Sequence, residues 1–480
     1  MTDFGITASA ISIPRLRLQR SAIARALDWV NPGLAARAKG QRAFCGSDED
    51  AVTMAVSAGN DCLLQGRSHD IHSLTFASTS APFIDRQHAT LIGEALNLDE
   101  SITTLDVGSS MRAGTSALLR ILQQGSINRN SLLVASDACT PKAGNAAELI
   151  DGDGAAAVTI GSDPVASFIA AESLSIDLVD HYRTPQQPHN YHYEERWVRD
   201  EGINQILPDV IKKLLDKAKL GAEAVDHLVL PLNNQRTAAT LAKITGLKNA
   251  ALADNLISEV GNCASAHPLI MLHQTLLAAK PEQIILLIGF GQGADAILLK
   301  TTNKLKQHQA TMLPINEGKQ VESYTRYLSS KQLLDVDWGM RAERDNRTAM
   351  SVYYRKRKSI NAFIGGRCDS CKTIQYPMAK LCVDPECGAY ETQQEYCLQN
   401  ESAQVKSFTE DWLGHSTNPP LKYGNVQFDN GANVMMEFTD FEVGELAVDV
   451  KVTPRFRIKD IDQLRGFRRY FWKAAPAGNT

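Results

Sequence analysis

The chain has 480 residues, of which 44% are hydrophobic and 22% are charged, so it can bury the cores of two or three domains. Its formal net charge of −4 gives no reason to expect a nucleic-acid partner, and no apolar run approaches membrane-spanning length. The N-terminus lacks a signal-peptide pattern, so we expect a cytoplasmic protein.

Local signals predict the first elements of the chain. The segment Ile13-Pro-Arg-Leu-Arg-Leu predicts an edge strand or a loop that enters the first domain. The segment Ser47-Asp-Glu-Asp-Ala-Val predicts a helix start, with Ser47 as the cap and acidic residues in the first turn. Leu74–Ala77 has the composition of a strand, and a polar turn follows it.

The most informative segment is Asp106–Leu119, which predicts a strand, a tight turn at Gly108 and a helix. A side chain at such an elbow faces the free N–H groups of a helix N-terminus, where negative charge is favoured. Enzymes place thiolate or alkoxide nucleophiles at positions of this kind. In this chain the corner of the elbow is occupied by Met111.

The pattern of the first elbow recurs later in the chain, at Glu259–Leu272, with an offset of 153 residues (259 minus 106). Two further segments match in the same order: Leu132–Ala135 with Ile285–Ile288, and Gly152–Val158 with Gly291–Ile297. Three ordered matches predict that residues 1–303 are a duplicated α/β unit, with repeats at about 1–165 and 206–303. We expect Met111 and Asn262, the two elbow residues, to approach one another.

Residues 162–205 interrupt the predicted repeat and are rich in aromatic and basic side chains. These are His181, Tyr182, Arg183, His189, Tyr191, His192, Tyr193, Arg196, Trp197 and Arg199. The composition favours either a flap that faces the substrate or a polar excursion on the surface. Among these residues, Arg183, Tyr193 and Arg196 are candidate substrate-binding residues, together with Ser110 beside the first elbow.

The second half of the chain begins with residues 304–350, which predict a linker containing one or two helices. Within 351–400, two close cysteine pairs, Cys368-x2-Cys371 and Cys382-x4-Cys387, predict a tetrahedral structural zinc site in a zinc ribbon. Residues 401–480 show short strand patterns punctuated by glycine, which suit a small β-barrel such as an OB-fold.

Residues 1–303 resemble the thiolase superfamily, nearest to its hydroxymethylglutaryl-CoA synthase and ketoacyl-acyl-carrier-protein synthase type III branch. Residues 351–475 resemble the zinc-ribbon/OB domain that accompanies thiolases and acyltransferases of CoA-thioester pathways. The segments that carry the first resemblance are Ile13–Leu18, Asp48–Ala55, the elbow at 106–118, Gly152–Val158 and Gly261–Ala266. The resemblance implies a five-layered αβαβα fold, a homodimer formed through the core halves, and a CoA or acyl-carrier thioester as substrate.

The departures from the family pattern concern the catalytic positions. Catalytic relatives carry a Cys nucleophile where this chain has Met111, and a His where it has Leu232 or Asn233. A thioether cannot act as a thiolate nucleophile. Of the three catalytic positions, only the Asn is kept, as Asn262. His267 is a further candidate for proton transfer, although a buried or capping histidine is the alternative interpretation.

Three functions are consistent with these features. The first is a component of a hydroxymethylglutaryl-CoA synthase-like acyltransferase complex, in which a separate thiolase subunit supplies the cysteine. The second is an acyl-CoA aldol or retro-aldol lyase that uses acid/base residues without a covalent nucleophile. Its candidates are His181, Tyr182, His192, Tyr193 and His267. The third is a non-catalytic scaffold that binds acyl-CoA.

Overall fold

The computed structural model describes residues 4–66, 70–125 and 129–478 and divides the chain into two compact units. The first unit comprises Met1–Cys45, Asp50–Thr90 and Ser101–Tyr324, and the second comprises Gly46–Glu49, Leu91–Glu100 and Thr325–Thr480. This division differs from the predicted domain boundaries in two respects. Residues 304–350 are shared between the units rather than forming a separate linker, and two short N-terminal segments belong to the second unit.

The strands of the first unit are β1 (Phe4–Ser12), β2 (Leu16–Gln19), β3 (Gln41–Phe44), β4 (Ile71–Ala77), β5 (Thr103–Val107), β6 (Asn130–Ala138), β7 (Asp153–Ser162), β8 (Ala166–Ser175), β9 (His181–Thr184), β10 (Gln187–His192), β11 (His227–Val229), β12 (Ala251–Leu252), β13 (Ile284–Phe290), β14 (Gly293–Thr301) and β15 (Lys319–Val321). The helices that lie wholly or partly in this unit are α1 (Arg20–Leu27), α2 (Ala51–Gly66), α3 (His88–Ala95), α4 (Ala113–Gln124), α5 (Glu195–Trp197), α6 (Leu207–Ala218), α7 (Gln235–Ile244), α8 (His267–Ala278) and α9 (Leu305–Gln309).

The main sheet confirms the duplication. Its strand order is β12-β11-β13-β14-β8-β1-β7-β6-β4-β5, so the second repeat mirrors the first about the junction of β8 and β1. Among the described residues, the two five-stranded halves meet there through the pairs Gly5 with Ser167 and Ile6 with Ala166. The strand β1 is therefore central and largely buried. The predicted edge strand or loop, Ile13–Leu18, begins as a short loop and continues into β2, which lies between β15 and β3 in a separate three-stranded sheet.

The helices form the layers expected of a thiolase-like fold. The helices α4 and α8 contact strands of both halves, whereas α2 packs on the first half and α6 on the second. At the centre, a Cβ atom built on Gly114 of α4 would overlap the carbonyl oxygen of Ser265, just before α8. The two elbows thus adjoin, and Met111 and Asn262 each stand three residues before this contact.

Two local predictions in the first unit need correction. The repeat is not interrupted at residue 162, because β8 (Ala166–Ser175) pairs with β1 and β14 as the first strand of the second repeat. The excursion begins after Ser175 and ends in a π-helical segment, Val198–Ile206, that leads into α6. The cap of α2 is Asp50 rather than Ser47, since the Asp50 carboxylate accepts hydrogen bonds from the N–H groups of Val52 and Thr53, both at 3.0 Å.

The second unit contains a three-stranded ribbon and a five-stranded barrel. Its strands are β16 (Ile364–Cys368), β17 (Ile374–Gln375), β18 (Gln393–Cys397), β19 (Ala403–Asp411), β20 (Leu421–Phe428), β21 (Asn433–Glu437), β22 (Lys451–Asp462) and β23 (Phe467–Pro476), and its helices are α10 (Tyr324–Ser330), α11 (Met350–Arg355) and α12 (Arg357–Asn361). The barrel order is β21-β20-β19-β22-β23, and a bridge between Phe438 and Ala474 closes it. This architecture is compatible with the predicted OB-type barrel.

An aromatic core joins the ribbon to the barrel inside the second unit. The Phe363 ring stacks on Trp472 with the centroids 6.1 Å apart, and the Trp472 indole donates a hydrogen bond of 2.7 Å to the Asn361 carbonyl. Phe363 and Trp472 thus stack on one another, and the indole N–H of the buried Trp472 has a hydrogen-bond acceptor. Within the described ranges of both units, no helix has the length and apolar character needed to cross a membrane.

Candidate functional site

The first elbow is built from a strained turn. Ser109 adopts a left-handed φ of 66°, which a residue with a Cβ atom rarely takes, and α4 begins four residues later. The Ser110 hydroxyl donates a hydrogen bond of 3.0 Å to the Gly291 carbonyl. A Cβ atom on Gly291 would lie 3.1 Å from the Cβ of Met111, so the Gly291 loop passes directly over the nucleophile position.

A buried ion pair fixes the first elbow against the second repeat. Nη1 of Arg112 lies 2.7 Å from Oδ1 of Asp295, whose side chain is 1% exposed. Asp295 also accepts hydrogen bonds from the hydroxyls of Thr115, Ser116 and Ser173. In addition, Arg112 donates to the carbonyls of Gly291 and Gln292. Arg112 is therefore fully engaged in holding the loop and is a structural residue of the elbow.

The second elbow brings the two remaining catalytic positions together. The Asn262 side-chain amide donates a hydrogen bond of 2.7 Å to Oδ1 of Asn233, and its own oxygen accepts from the N–H of Ala264. Leu232 is buried, and its carbonyl accepts a hydrogen bond from the Asn255 side chain. The resemblance implied an amide at Asn262 and an imidazole at the position of Leu232 or Asn233. The pair formed by Asn262 and Asn233 consists of two amides, and neither is a base.

Asp137 links three segments around the elbows. This fully buried carboxylate accepts hydrogen bonds from the N–H and hydroxyl of Thr79 and from the Ser80 hydroxyl, all from the turn after β4. Its second oxygen accepts from the N–H and hydroxyl of Ser265, at 2.9 and 2.5 Å. Asp137 therefore ties the carboxyl ends of β4 and β6 to the second elbow. The sequence signal was present, since Asp137 directly follows the strand-like run at 132–136.

His267 does not have the environment of a proton-transfer group, which corrects its prediction as catalytic. Its ring is 1% exposed, with Nε2 3.0 Å from the Asn255 carbonyl and Nδ1 3.4 Å from the N–H of Cys263. Burial lowers the pKa of His267 to about 4, so the neutral ring is favoured. Both ring nitrogens form hydrogen bonds with backbone groups, and the side chain therefore positions the loop before α8.

The thiols of the first unit are also unsuited to nucleophilic chemistry. Cys45, Cys62, Cys139 and Cys263 are all buried. Burial raises the pKa of Cys62 to about 12, and burial together with nearby carboxylates raises the pKa values of Cys139 and Cys263 well above their usual range. A thiol that stays protonated is neither a nucleophile nor an acyl acceptor.

The excursion after β8 forms a hairpin of β9 and β10, residues 181–192, which we call the flap. Arg183 of the flap donates a hydrogen bond to the Thr79 carbonyl, and His189 lies 3.0 Å from the Thr140 carbonyl. These partners follow β4 and β6, so the flap lies at the carboxyl edge of the sheet, beside Asp137. By contrast, Tyr193 packs edge-on against Trp197, and Arg196 pairs with Asp200 at 3.6 Å, within their own segment.

The four cysteines of the second unit form a candidate metal centre. The sulfur atoms of Cys368, Cys371, Cys382 and Cys387 all lie within 4.8 Å of one another. Sulfur pairs at 3.5 Å (Cys371–Cys382) and 3.9 Å (Cys368–Cys387) bracket the spacing of about 3.8 Å that tetrahedral Zn–S bonds of about 2.3 Å would give. The donor set therefore fits a closed zinc site without an open position.

Comparison with known proteins agrees with this geometry. Residues 215–300 match the family described as 3-oxoacyl-[acyl-carrier-protein (ACP)] synthase III C terminal. A hydroxymethylglutaryl-CoA synthase of Archaeoglobus fulgidus is 28% identical over 321 residues, which cover 63% of this chain and 91% of that protein. A second, from Thermococcus onnurineus, is 26% identical over 69% of this chain and 96% of its own length.

Solved structures give the same fold. MvaS in complex with 3-hydroxy-3-methylglutaryl coenzyme A superimposes with a TM-score of 0.59 at 18% identity, over 69% of this chain and 92% of that one. PksG, a hydroxymethylglutaryl-CoA synthase from Bacillus subtilis, gives 0.58 at 18% identity, over 72% and 95%. The first unit therefore has the duplicated, layered α/β fold of these thiolase-like structures. The sequence relatives that it resembles are hydroxymethylglutaryl-CoA synthases.

Proposed function

We propose that the chain binds a CoA or acyl-carrier thioester at its paired elbows without forming an acyl-enzyme, as a component of a hydroxymethylglutaryl-CoA synthase-like acyltransferase complex. The observation that carries the proposal is the hydrogen bond between Asn262 and Asn233. Asn233, the partner of Asn262, stands where a base would be needed, while the elbow keeps its turn and its helix N-terminus. N–H groups at such a helix start can hold a thioester carbonyl by hydrogen bonds.

The absence of a covalent step is argued from each group near the elbow. Met111 has no proton to lose, and the Ser110 hydroxyl is committed to a carbonyl rather than to a base. The thiols of Cys139 and Cys263 are kept protonated by burial. The Ser265 hydroxyl does face a carboxylate, Asp137, but both side chains are fully buried and cannot reach a thioester. A separate thiolase subunit would therefore supply the cysteine for acyl transfer.

Intact-mass spectrometry combined with calorimetry tests this function. The protein is titrated with acetyl-CoA and acetoacetyl-CoA, and its mass is measured after incubation. We expect saturable binding with no mass increase, and product formation only when a candidate thiolase is added. Rapid acylation of the unmodified protein, mapped to Ser109 or Ser110, would instead make it a serine-dependent transferase.

We also propose that the first unit forms a homodimer through the free edge of β5. This strand ends the main sheet, and Leu105 in it is 56% exposed. A sheet edge presents unpaired backbone groups and is a natural site for a second copy to add a strand. The zinc site has a structural role in this proposal, and reduced thiolates of this kind fit a cytoplasmic location.

A further inference from the structure

A carboxylate–imidazole pair stands at the base of the flap. Oδ2 of Asp180 lies 3.1 Å from Nδ1 of His181, and both side chains are largely shielded, with exposures of 17% and 16%. The His192 ring, opposite His181 in the hairpin, stacks on it with the centroids 5.7 Å apart. The His181 ring is therefore held in place by the Asp180 carboxylate and by its contact with the His192 ring.

The arrangement selects one role for each ring nitrogen. A carboxylate oxygen 3.1 Å from Nδ1 favours a proton on that nitrogen and leaves Nε2 as the lone-pair nitrogen, which is the tautomer of a general base. Within the described parts of the chain, Nε2 of His181 has no hydrogen-bond partner. This distinguishes His181 from His267, both of whose nitrogens contact the backbone.

The base of the flap is tied to the first elbow. The N–H of Ile176, at the start of the excursion, donates a hydrogen bond of 3.4 Å to the Gln292 carbonyl. The same carbonyl accepts from Arg112, and the neighbouring Gly291 lies against Met111. Only a few residues separate Ile176 from His181, while the far part of the flap is held at Thr79 and Thr140. The pair thus lies in a segment that is bonded to the loop at Gln292 at one end and to the turns after β4 and β6 at the other.

We propose that Asp180 and His181 form the acid–base pair that moves a proton at the α-carbon of a thioester bound at the elbows; this inference rests on the proposed function. The α C–H bond breaks, its electron pair becomes that of an enolate, and the proton goes to Nε2 of His181. The enolate oxygen is held by the elbow N–H groups, and reprotonation at carbon reverses the step. Such a chain would form or use a carbon nucleophile without an acyl-enzyme, as the aldol-type lyase function requires. His181 is the catalytic base, and Asp180 is its positioning residue.

Exchange of the α-protons into deuterated water measures this step directly. The full-length protein is incubated with acetyl-CoA or acetoacetyl-CoA in D₂O, and deuterium uptake at the α-carbon is followed by NMR, corrected for the rate without protein. We expect catalysed exchange by the unmodified protein and a loss of at least about 100-fold in His181→Asn, the usual contribution of a general base. His181→Ala should recover exchange when free imidazole is added, which a merely structural role would not produce.

Two matched variants separate positioning from folding. Asp180→Asn should slow the exchange, and Asp180→Glu should restore part of it, because a carboxylate again orients the ring. His72→Asn is the control, since His72 also stands near a carboxylate, Asp70, at 4.0 Å, but lies half-buried at the opposite end of β4 from the elbows. It should leave the rate unchanged. Thermal unfolding of each variant shows whether it is folded.

The outcomes distinguish this inference from the proposed function. If calorimetry detects no thioester binding, both fail. If the thioesters bind but the unmodified protein does not accelerate exchange of either, the acid–base role is wrong while the binding function stands. Exchange that persists unchanged in His181→Asn would likewise overturn the assignment of the base.

Discussion

The side-chain amide of Asn262 donates a 2.7 Å hydrogen bond to the side-chain oxygen of Asn233 across the second elbow. Relatives that acylate a cysteine need a base in this neighbourhood, and an amide cannot accept a proton at neutral pH. The pair nevertheless fixes the orientation of Asn262, whose other contact is the N–H of Ala264. The elbow thus keeps a hydrogen-bonding frame although its proton-transfer chemistry is missing.

Restoring the nucleophile alone should not restore acyl transfer. We predict that Met111→Cys reacts with acetyl-CoA at most slowly, because the buried Leu232 and the amide Asn233 leave the new thiol without a base. Intact-mass spectrometry over time gives the acylation rate. The double variant Met111→Cys, Asn233→His should acylate about 100-fold faster or more, the scale of general-base catalysis, because the side chain at position 233 faces Asn262. Equal rates for the two variants would show that the base is supplied elsewhere.

The sequence predicted those features that depend on local pattern and repetition. The duplication, both elbows and the four-cysteine cluster follow from spacing, and the fold confirms the duplicated architecture. The contacts of Asp137 with Ser265 and of Arg112 with Asp295 were not predictable, because each joins residues more than 120 positions apart. The central place of β8 was missed for a related reason, since its half-buried pattern resembles a surface strand. Tertiary pairing decides such cases, whereas local composition does not.

The ion pair of Arg112 with Asp295 should be a major source of stability for the first elbow. We predict that Asp295→Asn lowers the free energy of unfolding of the first unit by about 3–5 kcal/mol, the usual cost of removing one partner of a buried pair. Urea unfolding followed by circular dichroism measures this change. Asp209→Asn is the control, because Asp209 pairs with Lys213 on an exposed helix surface. A pair of that kind contributes about 0–1 kcal/mol.

The lowered pKa values of two buried histidines determine how the stability of the first unit should depend on pH. Burial lowers the pKa of His267 and of His273 to about 4, whereas an unfolded chain titrates near 6.5. Between these values the unfolded state binds more protons, so stability falls as the pH drops from about 6.5 to 4 and levels off above that range. Each residue contributes up to about 3 kcal/mol. His267→Asn should remove about one proton from the slope of unfolding free energy against pH. An identical slope in His267→Asn would contradict the burial argument.

The second unit should depend on zinc. We predict one zinc ion per chain, measured by mass spectrometry of the metal content, and loss of that ion in Cys371→Ser. Binding to four thiolates contributes on the order of 10 kcal/mol to folding in small zinc domains, so this variant should unfold the ribbon. Cys397→Ser is the matched control, because Cys397 lies in β18 outside the four-sulfur cluster. Limited proteolysis should then digest the second unit and spare the first in Cys371→Ser alone. A well-folded preparation with much less than one zinc ion per chain would refute the metal assignment.

Because β5 forms the edge of the main sheet, a single charged substitution in this strand tests the proposed homodimer. Leu105 is 56% exposed in the edge strand that leads directly into the first elbow. In a strand-to-strand dimer a lysine at this position would meet its own copy across the interface, and the two like charges would oppose association. We therefore predict that Leu105→Lys converts a dimer into a monomer, as measured by light scattering after size-exclusion chromatography. Ile244→Lys is the control, since Ile244 is 63% exposed at the end of α7 and should leave the mass unchanged. If the unmodified protein is a monomer at micromolar concentration, or if both variants remain dimers, β5 is not the interface.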